Sequence, residues 1–408
     1  MKIQLQWSGL ISLLLLACSS FAQTNWYTGK LLRQDGQHIP FTFEWKKEKS
    51  KQVWIIHNAA EVIRVDNITA DGDSLLVQMP VFESYFKIKW SGTTASGYWH
   101  KAGSVKNQVM PFTAEPASQP ATVAAGINIS GRWAVSFTGG SKPKPLSVGE
   151  FMQDGNRLSG SFLTPSGDYR YLQGYVDGSA VYLSAFDGVH AFAFSASIAD
   201  SSTIKAGTFY SGASYKEPWT AIKDAQAAVS QETVAMYLKP GEERLNFSFK
   251  DLNGKTISIT DKRFKNKVVV IQLMGSWCPN CMDETAFLSN YYAQHKKRGV
   301  EIISLAYEYS TDWDRSVKSL RKFQQRFNVQ YPMLITGVAV SDSLRTEKTL
   351  PELTPIKFFP SSIILDKNGK VRKLDTGFNG PATGEHHTLY KKEFEATIDE
   401  LLKEQTTN

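Results

Sequence analysis

Val268-Val269-Val270-Ile271-Gln272-Leu273 leads, after Met274-Gly275-Ser276, into Trp277-Cys278-Pro279-Asn280-Cys281. The first run is almost wholly apolar, as a strand buried on both faces requires, and from Cys278 onward the text becomes helical. A cysteine at a strand-to-helix junction has a reason to react: unpaired N–H groups and the helix macrodipole stabilise its thiolate. That can lower a thiol pKa from ~8.5 into the range ~3.5–7.5. Pro279 suits the first helical turn, where its missing N–H costs nothing. Two intervening residues let the sulfurs close a small ring, with Cys278 expected to be exposed and Cys281 tucked one turn behind. Cys278 is therefore predicted to attack and Cys281 to resolve.

Downstream, strands and helices alternate. Phe247 to Ile259 reads as a hairpin turning at Asn253-Gly254. Strand Val300 to Leu305, helix Trp313 to Phe327 and strand Tyr331 to Ile335 come after the redox motif. Strands Ser362 to Asp366 and Val371 to Leu374 and a closing helix from His387 to Lys403 complete the pattern. Interleaving of this kind implies a central sheet covered on both faces.

Upstream the pattern differs. Short alternating runs such as Phe41-Thr42-Phe43-Glu44-Trp45 and Tyr85-Phe86-Lys87-Ile88-Lys89-Trp90, separated by Gly, Asp and Asn, predict antiparallel β structure. The expected organisation is a signal peptide over 1–22, a β module over 24–115, a linker over 116–127, a second β module over 128–223, a linker over 224–240 and an α/β domain over 241–408. Gly92 to Gly97 echoes Gly207 to Gly212, and Asp73 to Met79 echoes Gly178 to Ser184. Either the modules are copies or their turns are alike by composition. Trp26, Trp45, Trp54, Trp90, Trp99, Trp133 and Trp219 belong to β core or line a ligand groove.

The apolar run Leu10 to Ala17 behind Lys2 is too short to span a bilayer and fits an export signal. Leu15-Leu16-Ala17-Cys18 reads as a lipobox, which would lipidate Cys18, whereas Ser20-Phe21-Ala22 fits ordinary cleavage before Gln23. The expected location is the periplasm or cell envelope, soluble or lipid-anchored. With 408 residues the chain is long enough for several hydrophobic cores and needs no disulfide staples. Its three cysteines leave Cys278 and Cys281 as the pair. A net charge of +7 spread among acids argues for a solvated surface and against a nucleic-acid partner. Zinc normally takes four ligands, and beyond the two cysteines only the adjacent, distant His386 and His387 are concentrated, so no metal is expected. The pair itself is the redox group, without a further cofactor.

Residues 241–408 resemble the TlpA/ResA-like branch of the thioredoxin superfamily. The resemblance rests on Phe247 to Lys255 at the entry, Trp277 to Cys281, and the Pro360 strand with its Asp366-Lys367-Asn368-Gly369 turn. It implies a thioredoxin-like fold behind an all-β N-terminal half. It also implies an enzyme exchanging disulfides with exported proteins, often during cytochrome c maturation, supplied by a membrane thiol donor. By position, Glu284 matches the family's acidic residue that handles the proton of the buried thiol; its alternative is a surface carboxylate near a helix start. Pro360 after Phe359 matches the superfamily's cis-proline, whose neighbouring backbone, with Trp277 and Pro279, would receive a substrate strand. Gly275 replaces the commoner Ala, a change read as harmless. The 338–357 loop is long and charged. Nothing in the resemblance accounts for the β half, so a second reading makes that half an envelope ligand-binding module with the thiol domain as accessory.

Overall fold

The computed structural model describes residues 25–103, 106–117, 127–140, 144, 146–229 and 235–405. The predicted signal segment with Cys18, most of the 116–127 linker and the middle of the 224–240 linker lie outside the described residues.

Alternation builds the front half. In His38–Glu48, Ile39, Phe41 and Phe43 are buried while His38 and Pro40 face out. Nine strands between Trp26 and Pro116 form one antiparallel sheet whose edges are Glu61–Val65 and Asn67–Asp71. Only Asp66 separates those edge strands, so the sheet must curl until its edges nearly meet. Eight strands between Gly131 and Lys223 go further. Ser147–Asp154 pairs with both Gly131–Phe137 and Arg157–Thr164, and so closes the ring into a barrel. A two-residue strand, Gly167–Asp168, is appended as a hairpin on Arg157–Thr164.

Aromatic side chains fill both units. Trp54 and Trp99 in the first, and Trp133 and Trp219 in the second, have no exposed surface. Trp45 meets Trp90 edge-on, and Trp26 lies against His57. Trp54, Trp99, Trp133 and Trp219 are β core, Trp45 and Trp90 pack against it, and Trp26 is half-buried at its margin. Of the two sequence echoes, Asp73 to Met79 and Gly178 to Ser184 both pass from a turn into a strand, the fourth from the end of each unit. The other pair does not correspond: Gly92 opens the turn before Thr94–Lys101, whereas Gly207 lies inside Thr203–Ser211. The two units also join each other. The Asn58 side chain exchanges hydrogen bonds of 3.0 Å with both backbone groups of Phe186, and Phe41 stacks on Phe186 at 4.5 Å.

The C-terminal sheet runs Thr256–Ser258, Ser248–Asp251, Met333–Ile335, Val300–Ala306, Val268–Met274, Ser361–Leu365, Val371–Thr376. Val268–Met274 is central, pairing parallel to Val300–Ala306 and antiparallel to Ser361–Leu365. Right-handed crossovers stepping in one direction across the sheet put α1 (Pro279–His295) and α2 (Trp313–Phe327) on one face, where α4 (Glu385–Lys403) joins them over Val268, Val270 and Met274. Val269, Ile271 and Leu273 point the other way, against Leu245, Phe247, Leu350, Leu353 and Ile356. That face is covered by loop segments around the short α3 (Arg345–Thr349), so the 338–357 stretch is packed rather than free. Within this apolar strand Gln272 is buried and polar, on the helix side.

Candidate active site

Cys278 is the N-cap of α1, and its Sγ accepts the Cys281 backbone N–H at 3.2 Å. Pro279 occupies the first helical turn. The two cysteines form a disulfide with their Cα atoms 5.2 Å apart. Cys281 is fully buried, and Cys278 is only 4% exposed, so the expected exposed sulfur is not found. Packing explains the difference: Val81, Phe82 and Val189 of the β half belong to the same apolar cluster as both cysteines, with Trp277 against it.

Trp277 is fixed on three sides. Its indole N–H donates to the Tyr307 carbonyl at 2.8 Å, its ring stacks on Tyr309 at 5.3 Å, and Phe359 meets it edge-on at 5.9 Å. A Cβ at position 275 would lie 2.1 Å from the Trp277 Nε1, so Gly275 is what lets the indole fold back. With Ala here the indole would have to shift. Phe359–Pro360 is a cis peptide. The Phe359 carbonyl oxygen lies 3.6 Å from Cys278 Sγ, and the Pro360 carbonyl accepts the Gly377 N–H at 2.9 Å.

Glu284 lies one turn beyond Cys281 on α1, as its spacing predicts, and is completely buried, which removes the surface-carboxylate alternative. Ser362 Oγ–H donates to it at 2.6 Å and Gln272 Nε2–H at 2.8 Å. Burial pushes its pKa up to about 7 against the pull of these two bonds, with the Asp375 charge adding to the rise.

Sequence reading missed a second buried carboxyl. Glu308 accepts the Ser276 backbone N–H at 2.8 Å and the Ser276 Oγ–H at 2.6 Å. It thereby anchors the residue before Trp277. Burial raises its pKa to about 7, the Ser276 bonds opposing. The available signal was positional: Glu308 follows the carboxyl end of the parallel strand Val300–Ala306, where α/β sheets place their sites.

His386 bonds Glu150, and His387 bonds the Asn379 carbonyl. Among the described residues, no three His, Cys, Asp or Glu side chains group to hold a metal ion, and no helix is long and apolar enough to cross a membrane.

Residues 239–391 match the Redoxin family and form a Redoxin domain. Thiol-disulfide oxidoreductase ResA of Bacillus thuringiensis subsp. konkukian is 31% identical over 131 residues, 32% of this chain and 66% of that protein. ResA of Bacillus subtilis is 26% identical over 140 residues, 34% of this chain and 69% of that protein. The chain thus spans about two thirds of the length of these relatives. A solved thiol-disulfide oxidoreductase from Bacteroides fragilis overlays 38% of this chain and 99% of its own, at 18% identity and a TM-score of 0.29.

Proposed function

We propose that this protein is an exported thiol-disulfide oxidoreductase of the ResA type, acting as a reductant on disulfides of envelope proteins. One observation carries the reading: Cys278 Sγ sits at the start of α1 accepting an N–H bond, with a buried carboxyl behind its partner sulfur. An N–H donor and a helix N-terminus favour thiolate over thiol at Cys278.

In the reduced enzyme the Cys278 thiolate attacks one sulfur of a substrate disulfide, forming a mixed disulfide and expelling the other sulfur as a thiolate. Cys281 then attacks Cys278 Sγ, restoring the internal disulfide and releasing the second substrate thiol. Two electrons pass from the pair to the substrate. Glu284 takes the Cys281 proton as that sulfur becomes the nucleophile, a role that suits a carboxyl with a pKa near neutrality. Trp277, Pro279, Phe359 and Pro360 receive the substrate backbone. A dithiol donor in the membrane restores the reduced pair.

Equilibrating the full chain against glutathione buffers tests the reading. A potential near or below about −270 mV is expected of a reductant, and one near about −120 mV would reverse the direction. No exchange at all would end the reading. Mass spectrometry of the mature N-terminus separates lipidation at Cys18 from cleavage after Ala22.

A further inference from the structure

Three segments meet at the start of α1: the 277–280 turn, the Phe359–Pro360 bond, whose Phe359 carbonyl lies 3.6 Å from Cys278 Sγ, and the 376–380 loop, whose Gly377 N–H donates to the Pro360 carbonyl. The β half lies on two of them. Asn280 Nδ2 donates to the Asp168 carbonyl at 3.1 Å, and the Gly380 N–H donates to the Asp168 carboxylate at 2.7 Å. A Cβ on Gly167 would lie 2.5 Å from Asn280 Nδ2, and one on Gly377 would lie 3.0 Å from the Ser166 carbonyl carbon. The Ser166-Gly167 and Gly377 backbones therefore touch here, and the Asn280 amide fills the space beside Gly167; Gly167 (φ +133°) and Gly377 (φ +80°) also adopt conformations that favour glycine. On the Trp277 side, Phe82, Glu83, Lys101 and Val189 face Trp277 and Glu308 across a cavity of about 10 Å³, room for roughly one water.

The hairpin is held by charge more than by apolar packing. Arg170, 3% exposed, directs Nε and Nη2 at the two Asp283 oxygens on α1 (2.9 and 3.0 Å), Nη1 at Asp187 (3.2 Å) and Nη2 at Glu61 (2.6 Å). One guanidinium thus ties both β units to the redox helix. Further out, Arg315 on α2 pairs with Glu83 at 2.7 Å, and His386 on α4 bonds Glu150 at 3.0 Å. The seam thus combines charge pairs of the kind found at separable domain interfaces with the apolar contact of Val81, Phe82 and Val189 beside the cysteines.

We infer that the 164–170 hairpin, with Gly167 just past its Pro165-Ser166 turn and Arg170 as its clamp, is a specificity-determining element of the thiol site. It occupies the rim where a protein substrate must lie, beside a sulfur only 4% exposed against Val81, Phe82 and Val189, so a small disulfide needs a local opening and a folded protein needs the hairpin itself displaced. A folded protein disulfide reacts only after the hairpin lifts from Asn280 and Gly377, so its rate is scaled down by the fraction of molecules that are open. This rests on the thiol-exchange reading above.

The test compares second-order rates of the reduced full chain with insulin, a protein disulfide, and with oxidised glutathione, a small one. Gly167→Val, which forces the hairpin off Asn280, is expected to raise the insulin-to-glutathione rate ratio ~tenfold or more, as a shift from a mostly closed to a mostly open population would. Arg170→Gln, which releases the clamp without adding bulk, should move the ratio the same way and carries the test should the valine variant not fold. A ratio unchanged or lowered in the folded variants overturns the inference. A wild-type chain reacting with neither disulfide instead overturns the thiol-exchange reading on which it rests.

Discussion

Behind the disulfide, Glu284 is held by Gln272 and Ser362; in front of it, Glu308 is held by Ser276. Both carboxyls are buried in the Redoxin domain, and burial brings both to a pKa of about 7. Their surroundings differ. The further charge acting on Glu284 is Asp375, of the same domain, whereas Glu308 feels Glu83 of the first β unit, which raises its pKa, and Arg315 of α2, which lowers it. The rear carboxyl is therefore indifferent to where the β half sits, and the front one is not. The proton handling proposed for Glu284 at Cys281 would thus draw on one domain, while the setting of Trp277 and Cys278 is shared by two.

The sulfurs offer the largest contrast. Cys278→Ser should lower exchange by at least about a thousandfold, as loss of a nucleophile does. Cys281→Ser should instead accumulate mixed disulfides visible on non-reducing gels. Equal trapping by both would erase the distinction between front and rear sulfur.

Glu284→Gln comes next. Its folded pKa of about 7 lies above the ordinary 4.5, so the stability it lends is complete below pH 4.5 and is lost as pH rises through 7. At ~1.4 kcal/mol per pKa unit, ionising it in the fold costs roughly 3 kcal/mol. The Gln variant should melt with a flatter pH dependence between 4.5 and 7. Its rate-versus-pH curve should also lose the inflection near neutrality, at a cost of about tenfold in the resolving step. Superimposable curves would return Glu284 to a purely structural role.

Glu308→Gln should leave mixed-disulfide resolution intact but loosen Ser276, costing about 1–3 kcal/mol in thermal stability. If its rate profile shifts as that of Glu284→Gln does, front and rear are not distinct. The smallest effect is expected from Gly275→Ala, whose Cβ must displace the indole of Trp277, at about 1–3 kcal/mol for an overpacked site. Tryptophan fluorescence should report the displaced ring, and an unchanged spectrum would mean that the turn absorbs the methyl elsewhere.

Local order was legible from residues alone: helix α2 occupies the predicted 313–327, and Val268–Met274 leads to the redox helix. Period and composition specify such elements through neighbours close in sequence. The β character of the front half followed from alternation, but not its closure into a barrel, because that requires the first strand of the unit, Gly131–Phe137, to meet the last, Tyr215–Lys223, by register rather than by any residue type. Cys278 and Cys281 were legible from their spacing at a strand-to-helix junction, and Glu284 from its match by position to the family's acidic residue. Glu308 and Arg170 did not. Each acts on segments far away in the chain, Glu308 on Ser276 and Arg170 on Asp283, Asp187 and Glu61. The low exposure of Cys278 has the same origin. Helix position determines whether a sulfur can become a nucleophile, a local property that the sequence determined; what covers that sulfur is decided by packing against Val81, Phe82 and Val189 of the β half, which only the tertiary structure settled.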